Sequence, residues 1–401
     1  MITKLRTGSP EKVGMLPERV AHVRDLCARW VTEGHTPTLA VCVARRGVIV
    51  LHEAFGVLGP GPDSPTLRRD ALFAVASLTK PVTATLVMQL VEDGVVGLNR
   101  PAKEYLPEIS GEGTDDILVH HLLTHTSGYC FPTDPPMAAH VARKTAAGFA
   151  PPPLPDGLHP FVHLLLSLHW DAPRVVRAGE TMVYSTHNYL LLGEIVRRLS
   201  GRTLEHLARE RIFAPLGMRD SYFEVPEAES GRVVQRAPGI PFGADAAPPF
   251  TDLGSRNWQG TPDGGAGLFS TPLDMAVFGQ MILDQGRSGD ARILSPAAVA
   301  AMTRNQIPGI RARLLSHEAA DASWSYGFGV TSPTKWKYFD GSLQPLGTLS
   351  HSGGGGSAFW IDREHELVGA YFEVCTRLTD DYEFLWNFDL FQNVITAAVD
   401  D

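Results

Sequence analysis

The chain has 401 residues, 44% of them hydrophobic and 20% charged, with a formal net charge of -9 at pH 7. That is enough apolar material for a large core, and because single cores stop growing near ~250 to 300 residues, two lobes are expected. The acidic balance argues against nucleic acid or an acidic membrane surface as the main partner. No stretch approaches the ~20 apolar residues of a membrane span, and Met1 to Arg6 lead into Gly8-Ser9-Pro10 without an apolar leader core. A cytoplasmic protein acting on a small molecule is the expectation, and nothing in the sequence indicates an oligomeric state.

In chain order, Leu39 to Ala44 and Val48 to His52 predict two antiparallel strands joined through Arg45-Arg46-Gly47. Next, Val82, Leu86 and Leu90, with Val87 and Val91 beside them, recur at three- and four-residue intervals until Gly94. They predict a buried helix opened by Ser77-Leu78-Thr79-Lys80. Pro81 is compatible with it, because first-turn N–H groups lack intrahelical partners. Residues 131–160, with Pro151-Pro152-Pro153, and residues 226–265 read as long loops that either connect surfaces or shape a site. Tyr189 to Leu199 and Leu204 to Ile212 carry helical patterns. Four strand-like runs follow, Tyr326 to Val330, Gly347 to His351, Ala358 to Asp362 and Leu367 to Phe372, and then an amphipathic helix from Tyr382 to Val399.

Strands at both ends with helices between them predict an α/β (α+β) architecture. One lobe is expected from residues 1–95 and 265–401, with residues 96–264 forming a mostly helical insertion that carries the long loops. Cys27, Cys42, Cys130 and Cys375 lack paired spacing, so buried free thiols are expected rather than disulfides or a zinc site.

The chemistry centres on Ser77 and Lys80, which stand one turn apart on one face. The helix start favours negative charge at the serine oxygen and disfavours an ammonium on Lys80. A serine hydroxyl becomes a useful nucleophile only when a neighbour takes its proton, and an amine or phenolate of lowered pKa can do so. The plain alternative is a helix cap beside a solvated lysine. Downstream, Tyr184 precedes a helix, and Leu349-Ser350-His351-Ser352-Gly353-Gly354 is a strand ending in small residues. The plain alternative for Tyr184 is a core aromatic. His121 and His125 stand four apart, as metal ligands can, yet no H-E-x-x-H glutamate accompanies them. The run Gly353 to Gly356 leads into a strand rather than a helix, which disfavours a phosphate cradle. No G-x-S-x-G elbow is present.

Taken with Phe73 to Lys80, Val119 to Gly128, Tyr184 to Gly193, Gly264 to Asp274 and His351 to Gly356, in that order, the chain resembles the serine β-lactamase and penicillin-binding protein superfamily. The likeness is to its class C β-lactamase, family VIII carboxylesterase and D-aminopeptidase branch. The resemblance implies that fold, with an antiparallel sheet flanked by helices, over almost the whole chain. It also implies Ser77 as nucleophile, Lys80 and Tyr184 as the proton-handling pair, and the Ser77 and Gly354 N–H groups as oxyanion hole. His351, Ser352 and Gly353 would occupy the family's Lys-Thr-Gly strand, and no cofactor or metal is implied.

Two positions depart from the family pattern. Thr186 replaces the asparagine of Tyr-x-Asn, and His351 replaces the lysine of Lys-Thr-Gly. Histidine is largely neutral at pH 7, so a fixed cation for a penicillin or peptide carboxylate is weakened. The expectation is a serine carboxylesterase acting on a small ester or amide. β-Lactamase, DD-peptidase or D-amino-acid amidase activity is the enzymatic alternative, and a catalytically silent binding protein of the same fold is the non-enzymatic one.

Overall fold

The computed structural model describes residues 5–245, 252–314, 317–333, 341–376 and 386–401. Its centre is a seven-stranded sheet. The strands are β1 (Arg6–Thr7), β2 (Thr38–Arg45), β3 (Val48–Gly56), β4 (Gly329–Val330), β5 (Leu349–Gly353), β6 (Ser357–Asp362) and β7 (Leu367–Glu373). They lie in the order β1-β3-β2-β7-β6-β5-β4, antiparallel throughout except for β1 on β3. Residues from both ends of the chain thus share one sheet, joined where β7 pairs with β2 from Leu367↔Arg45 to Glu373↔Leu39.

Side-chain alternation explains why the central strands are buried on both sides. Leu39, Val41 and Val43 of β2 join Trp360 and Tyr371 against one helical layer. That layer comprises α1 (Pro17–Thr32) and, at the far end of the chain, Trp386–Thr396, whose Phe388 and Phe391 reach the same cluster. Ala40 and Cys42 face the opposite way, into the larger core shared with the helices Thr79–Glu92 and Pro272–Leu283. Gly279 permits the close approach of Pro272–Leu283, since a Cβ there would lie 2.5 Å from Val368 Cγ1.

Between the two halves of the sheet lie mostly helices, among them Val119–Leu123, Pro135–Ala146, Pro160–His169 and Thr186–Ser200. The reading of residues 131–160 as a loop is corrected by Pro135–Ala146. Its buried positions are Met137 and His140, and a histidine on the inner face hides the apolar period. The run Tyr326 to Val330 is shorter as a strand than its composition suggests. Gly327 takes φ +97° and donates to Ser325 O, closing a turn that leaves Gly329–Val330 on the sheet edge. The last helix begins at Trp386, and the part expected over residues 382–385 lies outside the described residues. Among the described residues no helix is long and apolar enough to cross a membrane.

Candidate active site

Ser77 lies in a 3-10 turn, Ala76–Leu78, that leads directly into α2 (Thr79–Glu92). The serine therefore stands just before the regular helix rather than within it. From Ala71 to Leu90 it is the one residue that is not buried. Ala76 holds φ +47°, a left-handed conformation that costs an alanine about 1–2 kcal/mol and turns the chain sharply before Ser77. Three contacts hold the turn: Val75 N–H donates to Leu268 O, Thr79 Oγ1 donates to Ala76 O at 2.6 Å, and Leu268 N–H donates to Thr79 Oγ1.

Lys80 is completely buried on the first turn of α2. Its Nζ lies 2.8 Å from Ser77 Oγ and donates to Gly265 O at 2.8 Å. Burial pulls its pKa from 10.5 down to about 7, opposed by the carboxylate of Asp263. Tyr184 follows the short strand Thr181–Val183, which pairs in parallel with Arg311–Leu314, and Tyr184 N–H donates to Arg313 O. Lys80 Nζ lies 5.0 Å from the centre of the Tyr184 ring. Around that ring stand His125 at 4.4 Å, Trp324 at 5.8 Å and His351 at 6.1 Å between centroids.

β5 brings His351, Ser352 and Gly353 alongside the Ser77 turn. Ser357 Oγ donates to Val75 O, and a Cβ on Gly353 would lie 2.2 Å from that same oxygen, so only glycine allows the strand this close. His351 is buried, with Nδ1 donating to Ser352 O at 2.7 Å. Burial first and Lys80 second push its pKa down to about 3, so the imidazole is neutral. Among the described residues neither the Ser77 nor the Gly354 N–H donates to a backbone carbonyl.

Two described residues of the stretch read as a loop over 226–265 reach the site at the glycine turn, and residues 246–251 of it lie outside the described residues. A Cβ on Gly354 would lie 2.9 Å from the Phe242 ring, and one on Gly355 2.7 Å from Arg236 Nη2. Thr186 opens the helix α3 (Thr186–Ser200) and packs its methyl group over Gly265, where a Cβ would lie 2.6 Å from Thr186 Cγ2. Asn188 does not take the vacated asparagine's place: it accepts from Ser127 Oγ at 2.6 Å and lies 3.2 Å from His125 Nδ1.

His121 and His125 diverge. His121 Nδ1 accepts from Leu118 N–H, whereas His125, at φ +57°, turns inward and accepts from Ser185 N–H. Among the described residues no group of three His, Cys, Asp or Glu side chains could hold a metal, all four cysteines are buried, and Cys27, Cys42 and Cys130 are free thiols. Sequence reasoning missed Asp263, Trp324, Arg236 and Phe242. Asp263 had a local signal, an acid between Pro262 and a run of glycines, whereas the others are brought in only by the tertiary fold.

A serine beside an amine poised to give or take a proton near neutrality, a neighbouring phenol and, among the described residues, two N–H groups that meet no backbone carbonyl are groups that acyl transfer can use. The Beta-lactamase family model matches residues 20–386. Penicillin-binding protein 4 of Amycolatopsis lactamdurans is 30% identical over 374 residues, covering 88% of this chain and 91% of that one. Esterase EstB of Burkholderia gladioli is 28% identical over 341 residues, covering 80% and 81%. The crystal structure of a family VIII carboxylesterase superposes with a TM-score of 0.73 at 23% identity, covering 96% of this chain and 98% of that one. The chain belongs to the β-lactamase family, the serine hydrolase superfamily that includes the penicillin-binding proteins.

Proposed function

We propose that the protein is a serine carboxylesterase working through an acyl-enzyme on Ser77. The observation that carries this reading is the 2.8 Å approach of Lys80 Nζ to Ser77 Oγ by a lysine whose pKa is about 7. About half of such lysines are neutral at neutral pH and can accept the hydroxyl proton. Ser77 Oγ attacks the ester carbonyl as its proton passes to Lys80, with Tyr184 beside the pair to relay it. The Ser77 and Gly354 N–H groups receive the oxyanion, worth about 3 kcal/mol for one donor. Collapse breaks the C–O bond, and the alcohol leaves with the proton. Water then adds to the acyl-enzyme by the same path, releasing the acid and restoring the Ser77 hydroxyl.

Esters are favoured over lactams because His351 is neutral and Thr186 carries no amide. An ester has a good leaving group and tolerates loose positioning, whereas a lactam depends on contacts that orient its amide and carboxylate. The resemblance to esterases of the family supports the same reading. The test is kcat/KM for p-nitrophenyl butyrate against nitrocefin. A clear advantage for the ester is expected, and a wide advantage for nitrocefin would replace this reading with a β-lactamase.

A further inference from the structure

Asp263 is buried beside the site, only 4% exposed, and the proposed mechanism gives it no task. It lies in Thr261-Pro262-Asp263-Gly264-Gly265-Ala266-Gly267, where its Oδ1 accepts from Gly265 N–H at 2.6 Å. Its carbonyl accepts from Gly267 N–H at 2.8 Å and Ala266 N–H at 3.3 Å. The side chain thus closes a tight turn whose two outward carbonyls both land on α2. Gly264 O accepts from Thr83 Oγ1 at 2.7 Å, and Gly265 O accepts from Lys80 Nζ at 2.8 Å. Neither glycine has room for a side chain: a Cβ on Gly264 would lie 2.7 Å from Tyr189 O, and one on Gly265 3.0 Å from Thr186 O.

Charge adds to geometry. Lys80 is faced by Ser77 from its own turn, by Tyr184 and Tyr189 through their rings, and by His125 and His351, whose pKa values it helps to lower. None of these supplies a carboxylate. Asp263 is the acid whose field acts on the amine, and it opposes the burial that pulls the lysine toward neutrality. Asp263 is itself pushed upward by burial, while the Gly265 and Ala266 N–H groups and Lys80 favour its ionised form.

We propose that Asp263 is a positioning residue for Lys80: it aims the Gly265 carbonyl that holds the amine beside Ser77, and its charge sets the pH range over which that amine changes protonation. This rests on the Ser77 hydrolase reading. It adds an acid that the Ser-x-x-Lys motif does not contain, acting through one peptide group and through space.

The test is the pH dependence of the second-order rate at which a fluorophosphonate labels Ser77, which is independent of acyl preference and counts only folded molecules. Asp263→Asn keeps an oxygen for Gly265 N–H but removes the charge. Its titration limb should move to lower pH by about one unit or more, the usual effect of an opposite charge at close range, with the plateau rate within severalfold of the unmodified protein. Asp263→Ala loses the acceptor as well, so its limb should move the same way and its plateau should also fall. If the Asn limb superimposes on the unmodified one, or the plateau falls in both variants with no shift, Asp263 merely braces the loop and the proposal is wrong. Absence of labelling in the unmodified protein would instead sink the hydrolase reading itself.

Discussion

Lys80 Nζ and Gly265 O are 2.8 Å apart although 185 residues separate them in sequence. The contact fastens the amine that faces Ser77 to the turn at Asp263 to Gly267. The position of the Lys80 amine therefore depends on the tertiary fold, while its distance from the serine is set by one helical turn.

The first consequence concerns pH. Lys80 is held at about 7, below its ordinary 10.5, chiefly by burial. Below that value the amine is protonated and cannot accept the Ser77 proton, and above it the amine is free. Thus kcat/KM for a neutral ester should rise about tenfold per pH unit on the acid side and level off above roughly pH 8. A profile that falls through neutrality would show that the charged amine is the working form, with Tyr184 as the acceptor.

Removing either proton carrier should be costly without unfolding the protein. Lys80→Ala and Tyr184→Phe are each expected to lose roughly 10² to 10⁴ in turnover, with circular dichroism and melting showing a folded chain. Near-normal rates in either variant would take that residue out of the mechanism.

His351 offers a test of specificity. As a neutral ring donating to Ser352 O, it gives no fixed charge to an anionic substrate. His351→Lys should lower KM for a penicillin more than for a neutral ester, and the difference should shrink as salt rises. A second ammonium close to Lys80 should also push that lysine further down, moving the acid limb of ester hydrolysis to lower pH. Equal effects on both substrates would remove His351 from carboxylate recognition.

Gly353 tests the fit of β5 against the serine turn. Its absent side chain leaves room for Val75 O and Ser357 Oγ, which a Cβ would meet at 2.2 and 2.3 Å. Gly353→Ala should cost about 1–3 kcal/mol of stability by overpacking and should slow the labelling of Ser77. A variant with unchanged melting temperature and labelling rate would show that the strand yields freely.

The sheet and the Ser77 helix were legible because their patterns are strict. Leu39, Val41 and Val43 alternate with Ala40 and Cys42, and Val82, Leu86 and Leu90 repeat at helical spacing before Gly94. The helix Pro135–Ala146 was hidden because its inner face uses His140. The strand at Gly329–Val330 was overestimated because Gly327 closes a turn. Ser77, Lys80 and Tyr184 were named from spacing and family resemblance, and the fold brings them together. Asp263 and Trp324 come to the site only after distant segments pack, and Arg236 and Phe242 reach the glycine turn from a stretch with little periodicity. For such residues a linear pattern carries no distance information.

Intact-mass spectrometry with peptide mapping after reaction with a fluorophosphonate tests whether Ser77 is the nucleophile. A single adduct on Ser77 is expected, absent from Ser77→Ala and slowed in Lys80→Ala. An adduct on any other residue, or one that survives Ser77→Ala, would contradict it.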